Sequence, residues 1–145
     1  MEQYTAVGIS STVWGVRKRK EVLKNIEHIH EVVAAASWLS SLDLPVKLIA
    51  LPEGGLQGFT DEVFDMDHVE YAMNIAIDIP GEETDRLGEI AKQYNAYLIA
   101  QAKATDERFP NRFFNNAFII NPQGRIILRH YKNSPLFPVE HSICP

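Results

Sequence analysis

Cysteine is almost missing from this chain. Its 145 residues include one, Cys144, so no internal disulfide can form, which fits a reducing compartment. Long apolar runs are missing as well. The N-terminus has no apolar stretch of the secretory type, and no segment is long enough to cross a bilayer. Positive charge is in short supply: the net charge is −5, which removes any general attraction to nucleic acid or to an anionic membrane. The basic cluster Arg17-Lys18-Arg19-Lys20 is short and isolated and reads as the solvated start of a helix. There is no internal repeat and no low-complexity tract. These absences lead to the expectation of a cytoplasmic protein with neither nucleic acid nor membrane as partner.

What is present is ordinary for a globular chain, with 46% hydrophobic and 23% charged residues. The length suits one domain or part of a larger one. Tyr4 to Ser10 reads as a short strand. From Lys18 to about Leu42, the apolar residues Val22, Ile26, Ile29, Val33 and Ala36 recur at helical spacing and share one face. Asp43-Leu44-Pro45 stops that helix. Val46 to Leu51 is apolar on both faces, as in a strand buried inside a sandwich. Gly54 to about Ala76 is irregular. A helix is expected from Thr84 to about Tyr94, with Asp85 favouring its N-terminal dipole. Ala96 to Lys103 reads as a strand and Thr105 to Asn115 as a loop. Ala117 to Asn121 and Arg125 to Tyr131 read as a hairpin closed by the type I turn Asn121-Pro122-Gln123-Gly124. Alternating strands and helices followed by a hairpin indicate α/β layers.

The stretch "LIALPEGGLQGF" stands out. A buried strand ends on Pro52 and a carboxylate, Glu53, and then come Gly54, Gly55 and Gly58. Sites in open α/β sheets gather at the carboxyl ends of strands. Desolvation at that position predicts a raised pKa for Glu53, suited to a general base. The glycines are expected to let the backbone turn tightly and approach a ligand. Lys132 directly follows the last strand, where it is able to stand near Glu53 and stabilise an oxyanion. Glu140 lies farther on, in "SPLFPVEHS". Taken singly, each has a simpler reading as solvated surface charge.

Together, "LIALPEGGLQGF", "IPGEETDRLGEIAKQYNAYLIA", "FFNNAFIINPQGRIILRHYK" and "PLFPVE" resemble the N-terminal part of the nitrilase superfamily, the carbon–nitrogen hydrolases. The aliphatic amidase and formamidase branch is similar through "IPGEET" and the spacing in "KNSPLFPVE". The resemblance implies an α/β fold, part of an α-β-β-α sandwich, in a protein that forms homo-oligomers at full length. It implies a small amide or nitrile substrate and no metal or organic cofactor. It also implies that Glu53 takes a thiol proton, that Lys132 stabilises the tetrahedral intermediate and that Glu140 positions substrate. The family's cysteine attacks the amide or nitrile carbon, and water then cleaves the thioester.

The pattern breaks at the cysteine. The family carries it on a further strand past the second glutamate, and this sequence ends first. Cys144 falls in "HSICP", which resembles the loop before that strand and lacks a fixed thiolate-favouring setting. The expectation is therefore that residues 1–145 are the N-terminal portion of a single carbon–nitrogen hydrolase domain, inactive by itself. Half a sandwich exposes apolar surface, which predicts poor solubility or a partner. The alternative is a non-catalytic nitrilase-like module for binding or assembly. Among weaker signals, His28 and His30 face different directions on a helix and make an improbable metal site. Asp106, Glu107 and Arg108 read as solvated loop charge, and Trp14 and Trp38 as packing residues.

Overall fold

The structure, a computed structural model, describes residues 2–60 and 65–136. Five strands make one sheet in the order β1-β2-β3-β4-β5. They are β1 (Thr5–Gly8), β2 (Val46–Ala50), β3 (Tyr97–Thr105), β4 (Phe113–Ile120) and β5 (Ile126–Tyr131). The first three run parallel, and β4 and β5 are antiparallel to their neighbours. The long helix α1 (Val22–Ser40) joins β1 to β2 after a single 3-10 turn at Arg19–Glu21. Two more helices, α2 (His68–Asn74) and α3 (Glu82–Tyr94), lie between β2 and β3.

Periodicity explains the helical layer. Val22, Ile26, Ile29 and Val33 of α1 are buried together with Leu87, Ile90 and Ala91 of α3, as their spacing requires. Beneath them lies one face of the sheet, with Val7, Ile49, Leu98, Ala100, Ala102, Phe118 and Ile120. Alternation puts Leu48, Ala50, Ile99, Ala117 and Ile119 on the opposite face, where they are only partly buried. Tyr97 and Leu128 are 43% and 48% exposed there. Among the described residues, this stretch of the sheet stays partly exposed, while α2 packs on the same face at Phe113 through His68 and Tyr71.

Several local expectations need correction. Residues 54–76, read as irregular, include α2, whose N-cap Asp67 accepts from the amides of Val69 and Glu70. Helix α3 starts at Glu82 with Gly81 as its N-cap, and the Thr84 hydroxyl accepts from the Gly81 amide at 2.9 Å. The loop expected up to Asn115 ends at Arg112, because β4 begins at Phe113. The polar pair Asn115-Asn116 is buried in the sheet, with both side chains hydrogen-bonded. In the β4–β5 turn, the Gly124 amide donates to the Asn121 carbonyl at 2.8 Å, as expected of the type I turn.

The basic cluster is more than a solvated helix start. Arg19 makes a two-pronged contact with Glu83 at 2.7 and 3.0 Å and reaches Asp78 at 2.8 Å. Glu83 is 2% exposed, and Arg19 occupies both of its carboxylate oxygens. Arg19→Met should therefore cost about 3 kcal/mol in chemical unfolding, because an unpaired carboxylate stays buried. Adding Glu83→Gln should recover part of the loss. An Arg19→Met chain as stable as the parent would show that the pair is dispensable.

Candidate active site

The end of β2 sets the site. Leu51 still pairs with β3, its amide donating to the Ile99 carbonyl at 2.9 Å, but Pro52 has no amide with which to continue the ladder. The chain turns there, with Gly55 N–H donating to Pro52 O at 3.1 Å and Gly58 N–H to Gly54 O at 2.7 Å. Gly54 and Gly58 have φ of +74° and +68°, a region that side chains disfavour. A Cβ on Gly54 would lie 2.7 Å from the Phe59 ring, and one on Gly58 2.7 Å from the Gly15 backbone. The close approach these two glycines allow in the structure is to neighbouring protein.

Buried amides pin this loop to the sheet and to α1. Gln57, 1% exposed, donates to the Lys103 carbonyl at 2.9 Å and accepts from the Lys103 amide at 2.7 Å. Asn25 of α1 donates to the Leu56 carbonyl at 2.8 Å. Glu53 is held by these anchors at the mouth of a cleft of about 560 Å³ that includes Gln101, Asn115, His130 and Lys132.

Lys132 enters the cleft at the far end of β5. Its amide donates to the Asn115 carbonyl at 2.8 Å, extending the β4–β5 pairing by one residue. Its ammonium lies 3.1 Å from Glu53 Oε1. Asn115 Nδ2 donates to the same oxygen at 2.8 Å. Among the described residues, both hydrogen-bond partners of the carboxylate engage Oε1. The side chains of Lys132 and Glu53 are 34% and 48% exposed, so the pair faces open space in the cleft.

These contacts reverse the expected titration of Glu53. Burial pushes its carboxyl up, but hydrogen bonds from Asn115 and Lys132 and the charges of Lys132 and Lys103 outweigh it. The group lies below the ordinary glutamate range and is ionised at neutral pH. Lys103 was not singled out from the sequence. It is 1% exposed and shares a sheet face with Gln101 and Asn115. Alternating Gln101 and Lys103 in the otherwise small and apolar "LIAQAKA" was the available signal.

A second groove of about 530 Å³ includes Asp78, Thr105, Asp106 and Arg129. Asp78 is bound by Arg19 and Thr105, and Arg129 by Asn116 and two backbone carbonyls. Asp106 is not solvated charge, since its side chain is 9% exposed and bonded to Arg108 and Tyr131 at 2.7 and 2.6 Å. The Arg108 guanidinium, followed by the Tyr131 hydroxyl, holds its carboxyl well below the usual carboxylate range.

His28 packs edge-on against Trp14 and His30 bonds to Gln93, so the two do face apart. Lys24 sits 4.0 Å over the Trp14 ring, whereas Trp38 is 72% exposed and is no packing residue. Among the described residues no three His, Cys, Asp or Glu side chains converge. None of the described helices is long and apolar enough to cross a membrane. Glu140 and Cys144 lie outside the described residues.

Comparison with known proteins follows the same lines. The family model for carbon-nitrogen hydrolases matches residues 5–143. Formamidases of Bacillus cereus (strain AH820) and Bacillus anthracis are 30% identical over 123 residues, 83% of this chain and 32% of theirs. The chain thus spans about a third of the length of these curated relatives. The fold is shared with an N-terminal amidase crystallised with a Gln-Gly peptide, at TM-score 0.65 and 17% identity over 83% of this chain and 26% of that one. It is also shared with Nit3 of Saccharomyces cerevisiae, a nitrilase-superfamily member, at TM-score 0.64 and 18% identity over 83% of this chain and 41% of that one.

Proposed function

The chain belongs to the carbon–nitrogen hydrolase family, and from that premise we propose that it supplies the base and the oxyanion-stabilising cation of an amide-hydrolysing site. The observation that carries this reading is the meeting of Glu53 and Lys132, 79 residues apart in sequence, in one open cleft. Glu53, ionised at neutral pH, takes the proton of an attacking thiol on Oε2, the oxygen not engaged by Asn115 and Lys132. The thiolate adds to the amide carbon. Lys132 stabilises the oxygen that becomes negative, ammonia leaves, and water cleaves the thioester. Glu53 passes the thiol proton to the leaving nitrogen as ammonia departs, then takes a proton from the attacking water and returns it to the sulfur as the thioester breaks, while Lys132 stays an ammonium throughout.

Short amides are the substrate class, in keeping with the formamidase relatives, and nitriles are the second class to test. Residues 1–145 form the N-terminal portion of a single hydrolase domain, which works as a homo-oligomer at full length. Glu140 positions substrate. The nucleophile is not Cys144, the one cysteine of these 145 residues.

Ammonia release over a panel of short amides and nitriles tests this. The 145-residue chain alone should release none. A polypeptide in which it continues into a cysteine-bearing strand should hydrolyse at least one short amide, and failure of that longer form across the panel would overturn the hydrolase reading. Turnover by the short chain that disappears in Cys144→Ser would make Cys144 the nucleophile.

A further inference from the structure

Three hydrogen bonds and one peptide link form a closed ring around Glu53. The amide N–H of Gly54 donates to Gln101 Oε1 at 2.7 Å. Gln101 Nε2 donates to Asn115 Oδ1 at 2.7 Å, and Asn115 Nδ2 donates to Glu53 Oε1 at 2.8 Å. Glu53 is covalently joined to Gly54, where the ring began. Gln101 and Asn115 are 8% and 3% exposed and are diagonal neighbours on one sheet face, since Asn115 pairs with Lys103 and Gln101 with Ala117.

The ring has a direction. A backbone N–H can only donate, so the Gln101 oxygen must face Gly54 and its NH2 must face Asn115. That in turn places the Asn115 oxygen toward Gln101 and its NH2 toward Glu53. Reversing Asn115 alone would set two NH2 groups against each other and aim a carbonyl at a carboxylate. Both faults would be buried, where an unsatisfied polar group is costly.

We propose that Gln101 and Asn115 are positioning residues that form a directional amide relay, anchored on the Gly54 amide, which always presents Glu53 with a donor. Neither residue need touch substrate. The relay fixes the carboxylate's orientation and keeps Oε1 occupied, so the base does not depend on Lys132 alone while that ammonium turns toward a developing oxyanion. The inference rests on the reading of Glu53 as the base.

The test is an NMR titration of the 145-residue chain, following the Glu53 carboxyl carbon together with the side-chain amides of Asn115 and Gln101. The Asn115 NH2 resonances should move with the Glu53 midpoint, and those of Gln101 should follow with smaller amplitude. Asn115→Leu should shift the Glu53 midpoint upward, and Gln101→Leu, which never contacts Glu53, should shift it in the same direction by less. Asp78, held elsewhere by Arg19 and Thr105, should keep its own midpoint in both variants. A purely structural role would lower the melting temperature and leave the Glu53 midpoint unmoved. Asn115 resonances that stay flat through the Glu53 transition in the unsubstituted chain would overturn the relay, and so would a folded Gln101→Leu chain with an unshifted Glu53. Titration requires no turnover, so such a failure would fall on the relay, whereas failure of the catalytic reading would show in the kinetics of Glu53→Gln.

Discussion

Glu53→Gln should lower amide hydrolysis by about 10²–10⁴-fold in a cysteine-bearing form of the protein, the range for loss of a positioned general base. Glutamine keeps the size of the side chain and an oxygen able to accept from Asn115 Nδ2 and Lys132, so the cleft should survive. What it loses is the capacity to hold a proton. The loss should appear in kcat and kcat/KM alike, because the proton moves as the thiol attacks. The pH profile gives an independent check. Glu53 titrates below the ordinary glutamate range, since Asn115 and Lys132 outweigh the upward push of burial. The parent's activity should hold through the weakly acidic region and fall only as pH drops through that depressed value. The same sign applies to stability: the ion pair's contribution is present above the unfolded glutamate pKa and is lost as pH falls through the folded one.

Lys132→Met should cost about 10²–10³-fold, the range for removing one oxyanion stabiliser. Methionine retains the apolar stem against the sheet and removes the ammonium. A second consequence separates this variant from a folding defect. Lys132 holds the Glu53 carboxyl down through both a hydrogen bond and its charge. Its removal should therefore move the acidic limb of the residual activity upward in pH, with Asn115 and Lys103 still holding part of the shift. The double variant should lose far less than the product of the single losses, because members of one catalytic unit fail together.

Much of the site was legible in the sequence because it depends on local rules. An apolar run ending on Pro52-Glu53 declares a strand end with a carboxylate at its tip, and the run up to Tyr131 does the same for Lys132. Their meeting at 3.1 Å needs only that β2 and β5 belong to one sheet with their ends on one side. The supporting shell was not legible, for a physical reason. Gln57, Gln101 and Asn115 act across strand pairings set by register between distant segments, and no local pattern encodes that register. Asn115 was read as loop and Asn116 left out of the strand because asparagine has little strand propensity, yet hydrogen bonds to Gln101, Glu53 and Arg129 satisfy the pair inside β4. Helix α2 was missed because seven residues give too few turns for a periodic signal. Its cue was Asp67 with Glu70 three positions later. The raised pKa expected of Glu53 failed for a related reason, since burial is readable from a strand end and a hydrogen-bond donor from another strand is not.

The most direct measurement is steady-state ammonia release from short amides by the cysteine-bearing form, with Glu53 intact and as Glu53→Gln, alongside thermal unfolding of both. The expected result is a loss of about 10²–10⁴-fold with unfolding unchanged. Near-parental turnover in a folded Glu53→Gln protein would contradict Glu53 as the base, and would leave its contact with Lys132 a structural ion pair.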